Sequence, residues 1–126
     1  MRFQARITGF FKAFVVAAVV FCAPPPTQAA SPEAEIDHLL NFIAGSPCAF
    51  IRNGVAYDGA QAVDHIKGKY EHYREEIRSA EDFIALAASK SAMSGKPYLV
   101  RCDAAEMPAA EWLTQELGAF RQRSGS

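Results

Sequence analysis

The chain has 126 residues, of which 50% are hydrophobic and 21% are charged, and its formal net charge at pH 7 is −1. This length suits one small domain, and a near-neutral chain without a long basic run lacks the electrostatic footprint of a nucleic-acid-binding protein. We therefore expect a single domain and no nucleic-acid partner.

The first thirty residues have the pattern of a secretory signal peptide. They carry three cations and no acid, and residues 13–23 form an apolar run well short of the roughly 20 residues that span a bilayer. Small residues before position 31 predict cleavage after Ala29 or Ala30, with a retained membrane anchor as the alternative. We expect residues 1–30 to be removed, which gives a periplasmic or secreted protein whose mature form has no membrane span.

Cleavage also changes the charge and the number of cysteines. Three of the thirteen Lys and Arg residues are removed, and the remaining ten face fourteen Asp and Glu, so the mature net charge is −4. Cys22 leaves with the signal peptide. Export leads to an oxidising compartment, so Cys48 and Cys102 predict a structural disulfide. Neither a Cys-x-x-Cys motif nor a zinc-type spacing of His and Cys occurs, which leaves a redox or metal role without support.

The mature chain opens with a helix and a hairpin. Residues 31–45 combine a capping serine, a proline at the first helical position and apolar residues at helical spacing, which predicts the first helix. Asn53 and Gly54 suit the positive φ angles of a tight turn. We therefore expect a β-hairpin with strands over 48–52 and 55–57.

Two helices, a strand and a last helix are predicted to follow. Asp58 with Gln61 forms a capping-box pattern, and we expect the long helix that it starts to run to about Ile77. Ser79 is expected to cap a third helix that ends near Lys90. The remaining predicted segments are a strand over 98–102, a helix from about Pro108 to position 120, and a frayed polar tail over 121–126.

The order of these elements, α-β-β-α-α-β-α, predicts an α+β fold. We expect a small single domain over residues 31–120, with a three-stranded sheet and the helices packed on one face. The disulfide would tie the first strand to the third. The sequence leaves open whether those two strands are neighbours and in which direction they pair.

Several separate motifs resemble the YfeK-like family of small exported bacterial proteins. They are CAFIRNG at 48–54, HIKGKY at 65–70, AEDFI at 80–84, ASKSAMSGKPY at 88–98 and EWL at 111–113. The motifs occur in order and cover nearly the whole mature chain. The resemblance implies export and a single domain. It implies no activity, because the family is known only as a domain of unknown function and offers no catalytic residue to carry over.

The residues themselves do not form a recognisable catalytic or metal-binding set. Residues 89–96 hold three serines and two lysines, yet neither a Ser-x-x-Lys nor a Gly-x-Ser-x-Gly motif is present. His65 and His72 are seven residues apart, which places them about 10.5 Å apart along a helix axis, too far for one metal ion. We therefore expect no catalytic residue, no cofactor and no metal site.

The polar loop before the third strand is the candidate binding site. If Ser91, Ser94 and Lys96 lie near Arg52 and Asn53 of the hairpin, they make a cationic surface suited to a carboxylate or an envelope sugar. The alternative is a polar connection whose serines satisfy backbone groups. We expect a non-catalytic binding or interaction module of the cell envelope, with an unknown ligand or protein partner. The alternative function is a small hydrolase-like enzyme that uses the Ser/Lys loop 89–96.

Overall fold

A computed structural model describes residues 17–20 and 29–125, which contain four helices and four strands. The elements are α1 Pro32–Ala44, β1 Ala49–Arg52, β2 Val55–Tyr57, α2 Gly59–His72, α3 Ala80–Ala87, β3 Leu99–Cys102, β4 Ala105–Pro108 and α4 Ala109–Gly125. Most of the predicted signal peptide lies outside the described residues. Among those that are described, no helix has the length and apolar character needed to cross a membrane.

The sheet confirms the α+β class but corrects the number of strands. Its four strands are all antiparallel and lie in the order β2-β1-β3-β4, so the first and third strands are neighbours. The prediction of three strands was wrong because it missed β4. That strand follows a two-residue turn in which Asp103 has φ 56°, and it ends in Pro108. Its sequence, Ala-Glu-Met-Pro, lacks an alternating pattern, and proline is tolerated there because the strand is at the edge of the sheet.

Local capping explains where the helices begin. The Asp58 carboxylate accepts from the backbone N–H of Gln61 at 2.8 Å, and the Gln61 side chain accepts from the backbone N–H of Asp58 at 3.0 Å. Ser31 and Ser79 cap α1 and α3 through their hydroxyl oxygens. The three predicted helix starts are therefore confirmed. In each, a capping side chain accepts a hydrogen bond from a first-turn backbone N–H that has no acceptor within the helix.

The predicted helix ends need correction. α2 stops at His72 rather than near Ile77, and the acidic Glu75 and Glu76 follow it, where the helix dipole disfavours negative charge. α3 stops at Ala87 rather than near Lys90, where the Ser89 hydroxyl donates to the carbonyl of Ile84 at 2.7 Å. Residues 121–125, which the sequence assigned to a polar tail, are helical and continue α4.

The disulfide lies on the face of the sheet that the helices cover. Phe50 of β1 and Val100 of β3 are direct cross-strand partners, and both are buried in the hydrophobic core with residues of all four helices. Cys48 and Cys102 are the next directly opposed positions on that face. They form the predicted disulfide, with a Cα–Cα distance of 4.6 Å. That distance is typical of non-hydrogen-bonded partners on antiparallel strands, so the bond needs no distortion of the ladder.

Candidate functional site

A cavity of about 440 Å³ lies between α2, α4 and the covered face of the sheet. Its apolar part is formed by core residues: Phe50, Ala62, Ile66, Ala88, Ala109 and Leu113. Its polar part is formed by Arg52, Tyr57, Gln61, Asp64, His65 and Tyr98. This size, and an apolar lining with a few converging polar groups, are typical of small-molecule sites.

Three elements bring the polar residues together. Arg52 ends β1 on the helix-covered face, and its side chain reaches α2. His65 and Lys69 are four residues apart on α2 and therefore share one side of that helix. Tyr98 directly precedes β3, and its backbone is fixed because its carbonyl accepts from the N–H of Ala109 at 2.8 Å.

These side chains form a continuous hydrogen-bonded group, which we call the cationic cluster: Arg52, His65, Lys69 and Tyr98. Arg52 Nη1 lies 2.7 Å from His65 Nδ1, and His65 Nε2 lies 3.0 Å from Tyr98 Oη. Lys69 Nζ donates to Tyr98 Oη at 3.2 Å and to the carbonyl of Lys90 at 2.6 Å. Tyr57 supports the cluster from β2, since its hydroxyl accepts from Arg52 Nη2 at 3.2 Å and its ring faces the guanidinium.

The hydrogen bonds require a neutral His65. Arg52 can only donate, so the ring nitrogen that it bonds must accept. Arg52 Nη1 lies 2.7 Å from Nδ1 and 3.0 Å from Nε2, and either nitrogen can be that acceptor. Tyr98 Oη accepts from or donates to Nε2 according to the tautomer, and it accepts from Lys69 Nζ in both cases.

The electrostatics of the cluster disfavour added positive charge. Burial, together with the nearby charges of Arg52 and Lys69, holds the pKa of His65 below its ordinary value of 6.5. Burial and the charges of Arg52 and Lys90 likewise lower the pKa of Lys69. Burial raises the pKa of Tyr98, although Arg52 opposes this effect. His65 is therefore neutral and Tyr98 protonated at neutral pH.

The cations of this cluster have no carboxylate partner within the part of the chain that the structure describes. The ion pairs found there involve other cations: His38, Arg74, Arg101, Arg121 and Arg123. Asp64 lines the same cavity but is not within 4.0 Å of either cation. Arg52 keeps its Nε hydrogen and one hydrogen on each Nη free of the bonds described above. The site therefore presents several unused donors and can accept an anion.

The structure brings most of the sequence-predicted binding residues together, but beside the cavity rather than in it. Asn53 donates to Ser91 Oγ at 3.3 Å and accepts from Ser94 Oγ at 2.5 Å. The backbone N–H of Lys96 donates to Ser94 Oγ at 3.2 Å, and Lys96 itself is exposed. Arg52 instead turns toward α2 and the cavity. The serine hydroxyls thus hold the loop against the hairpin, and a binding role for these residues stays a prediction.

Sequence reasoning missed three members of the cationic cluster. From the sequence, His65 was considered only as a metal ligand, Lys69 was not singled out, and Tyr98 was expected to begin the third strand. One signal was available in the sequence. His65 and Lys69 are four residues apart, which places an imidazole and a cation on the same face of a helix. Within residues 17–20 and 29–125, no group of three or more His, Cys, Asp and Glu side chains is placed to hold a metal ion.

Comparison with known proteins establishes the family. The pattern of a family described as "Family of unknown function (DUF5329)" matches residues 30–121. The chain belongs to this family. It is also 38% identical over 91 residues to "Uncharacterized protein YfeK" of Salmonella typhimurium (strain LT2), a match that covers 69% of this chain and 76% of that protein.

These matches confirm the YfeK-like resemblance seen in the sequence motifs. No solved structure matches this chain. The DUF5329 match includes every residue of the cationic cluster and both cysteines of the disulfide. Because the family is one of unknown function, its activity must be argued from the site itself.

Proposed function

We propose that this DUF5329 protein is an exported, periplasmic, non-catalytic binding module, and that its cavity binds a ligand through an anionic group. The observation that carries the proposal is that two cations, Arg52 and Lys69, lie in the same partly buried cluster. Neither has a carboxylate partner among the described residues. Like charges held together out of bulk water raise the free energy of the unliganded protein. A bound anion would offset that free energy.

The export half of the proposal is supported by two features. The leader has the charge and length of a signal peptide, and the domain contains a disulfide between cysteines that are 54 residues apart in sequence. Disulfides persist in oxidising compartments such as the periplasm and are rare in the cytosol.

The serine hydroxyls favour binding over the hydrolase alternative. Ser89 donates to the carbonyl of Ile84, and Ser94 donates to the side chain of Asn53. Ser91 accepts from Asn53 and from the backbone N–H of Ser94. A Ser/Lys nucleophile would need a lysine amine bonded to one of these hydroxyls, whereas Lys69, the lysine whose pKa is lowered, bonds a carbonyl and a phenol.

Anion binding can be tested by thermal unfolding of the protein recovered from the envelope fraction of expressing cells. Sodium acetate and sodium sulfate are added, with sodium chloride at equal ionic strength as the reference. We expect acetate to raise the unfolding midpoint of the wild type more than that of Arg52→Gln and Lys69→Gln. Sulfate stabilises folded proteins in general, so any sulfate binding at the site is measured as the excess of the wild-type shift over the shift of these two variants. Lys67→Gln is the matched control, because Lys67 is exposed on the same helix and its loss changes the net charge equally. Equal responses from all four proteins would contradict the proposal.

Export is tested separately by mass spectrometry of the same material, before and after alkylation with and without reductant. The expected mature protein begins at Ala30 or Ser31, is lighter by two hydrogens than its reduced form, and has both thiols blocked until reduction. A retained leader or freely reactive thiols would contradict export. Neither result would affect the anion-binding proposal, which the thermal-unfolding experiment tests separately.

A further inference from the structure

We propose that the ligand is a carboxylate joined directly to an apolar group, with the carboxylate on Arg52 and the apolar group inside the cavity. This inference rests on the proposed anion-binding function and names the chemical class of the ligand.

The interior of the cavity selects for an apolar group. Ala88, Leu113 and Ala109 are at most 3% exposed, and Ile66 and Phe50 are 5% and 6% exposed, so the lining belongs to the hydrophobic core itself. An apolar ligand group that enters the cavity packs against these side chains and leaves the water that surrounds it in solution. The free energy gained grows with the apolar area that is buried.

The polar edge of the cavity selects for a planar group with two oxygens. His65 and Tyr57 each take one hydrogen of the Arg52 guanidinium and hold it in place, while the remaining hydrogens keep the fork geometry that matches a carboxylate. The Tyr98 hydroxyl lies at the same cavity wall and adds a polar group near the guanidinium. The residues of the cationic cluster therefore bind the carboxylate, and the core residues that line the cavity contact the apolar group.

The charge around the cavity favours a single negative charge. Arg52 and Lys69 supply the positive field, His65 stays neutral, and Asp64 lines the same cavity with a negative charge. A phosphate dianion would meet the repulsion of Asp64, whereas a monocarboxylate balances the site more closely. A free fatty acid and the C-terminal end of an apolar peptide share this chemistry.

Calorimetric titration of the envelope-recovered protein tests the inference and separates these two sources. The probes are acetate, hexanoate and decanoate, then decanol and decyltrimethylammonium, and then the peptide acid N-acetyl-leucyl-phenylalanine. We expect the affinity of the carboxylates to rise about two- to four-fold for each buried methylene. Decanol should bind at least ten-fold more weakly than decanoate, and decyltrimethylammonium should not bind. Decanoate binding more tightly than the peptide would assign the site to a fatty acid, and the reverse order would assign it to a peptide end.

Two substitutions on α2 locate the apolar group. Ala62→Leu fills the cavity, and we expect it to abolish the dependence on chain length while acetate still raises the unfolding midpoint. Ala60→Leu adds the same group at an exposed position of the helix and should behave as the wild type. If Ala62→Leu fails to fold, nuclear Overhauser contacts between decanoate and the methyl groups of Ile66 and Leu113 in the unchanged protein replace it.

The outcomes separate the two proposals. If acetate acts through Arg52 and Lys69 but the affinity does not change with chain length, the ligand class is wrong and the anion site stands. If decanoate and decyltrimethylammonium bind equally well, the carboxylate has no role and the inference is overturned. If acetate and decanoate leave both the unfolding midpoint and the calorimetric signal unchanged, both proposals fail.

Discussion

The charged residues that join α1, α3 and α4 form ion pairs, whereas Arg52 and Lys69 beside the cavity have no carboxylate partner among the described residues. Arg121 of α4 donates to Glu35 of α1 at 2.6 and 2.9 Å and forms an ion pair with Glu81 of α3 at 2.5 Å. We call these three residues the ion-paired network. Glu35 is only 6% exposed, so this network compensates a buried carboxylate with a matched cation. The cationic cluster contains two cations, a neutral histidine and a phenol, and Arg52 and Lys69 keep hydrogens that none of the bonds described above uses.

The pKa directions show the same contrast. The hydrogen bonds that Arg121 donates to Glu35 and Glu81 raise the pKa of Arg121 and lower the pKa of Glu81, so the charged forms of both residues are stabilised. In the cationic cluster, burial and like charges lower the pKa of His65 and of Lys69, so each charged form is destabilised. The ion-paired network therefore stabilises its own charges, whereas the charges of the cationic cluster would be stabilised by the anion that we propose.

The largest expected effect comes from removing the link between the strands that carry the cluster. The disulfide ties β1, which ends in Arg52, to β3, which follows Tyr98. Replacing both cysteines, Cys48→Ala with Cys102→Ala, should lower the free energy of unfolding by roughly 4 kcal/mol, because the unfolded chain regains the entropy of a long open loop. Urea unfolding monitored by circular dichroism measures this. A loss below about 1 kcal/mol would show that the strands are held by packing alone.

The next largest effect is the loss of stability expected when the ion-paired network is broken. Arg121→Gln leaves the Glu35 carboxylate buried without its ion pair, and we expect a loss of about 1–3 kcal/mol in the free energy of unfolding. Arg123→Gln is the matched control on the same helix. It removes a cation that is 59% exposed and paired with Glu116, so its cost should stay below about 1 kcal/mol. Equal losses in the free energy of unfolding from the two variants would mean that the burial of Glu35 does not make its ion pair more important for stability.

Much of the fold could be predicted because it depends on short-range rules. Ser31, Asp58 and Ser79 cap helices through bonds to residues three positions away, and Asn53-Gly54 turns the hairpin with both φ angles positive. The strand β4 could not be predicted, since its residues become a strand only by pairing with β3. The same limit applies to the helical end of α4, which Arg121 anchors through two carboxylates from other helices.

The candidate site was predictable only in part for a similar reason. Arg52 was identified from its place beside the hairpin turn, and the contact of Asn53 with Ser91 was anticipated as a meeting of hairpin and loop. The cluster itself joins a strand, a helix and a residue before another strand. His65 and Tyr98 are 33 residues apart in sequence and meet only after the helix packs on the sheet. A single sequence carries no signal for that meeting.

A smaller effect, a gain in stability, is expected when one charge of the cationic cluster is removed. Lys69→Met keeps the length of the side chain and removes the repulsion with Arg52 and Lys90, so the unliganded protein should gain up to about 1 kcal/mol of stability at low salt. The gain should shrink as salt screens the charges. Lys67→Met, at an exposed position of the same helix, is the control. A clear loss of stability in Lys69→Met alone would show that its bonds to Tyr98 and Lys90 outweigh the repulsion.

The smallest expected effect is a dependence of stability on pH that arises from His65. Because the pKa of His65 is lower in the folded protein than its ordinary value of 6.5, the unfolded chain binds the proton more readily. His65 therefore contributes stability that is present above pH 6.5 and is lost as the pH falls through that value toward the folded pKa. The groups that face the ring are Arg52, Lys69 and Tyr98, with Asp64 on the same cavity wall.

Urea unfolding of the wild type and of His65→Gln between pH 7.5 and 5 isolates this contribution, with His72→Gln as the control at an exposed position of the same helix. The wild type should lose more stability on acidification than His65→Gln, and His72→Gln should follow the wild type. Saturating acetate sharpens the comparison, because an anion on Arg52 would favour protonation of His65 and flatten the wild-type profile. If acetate leaves that profile unchanged while the His65→Gln difference remains, the cluster repels protons without binding the anion that its geometry is proposed to accept.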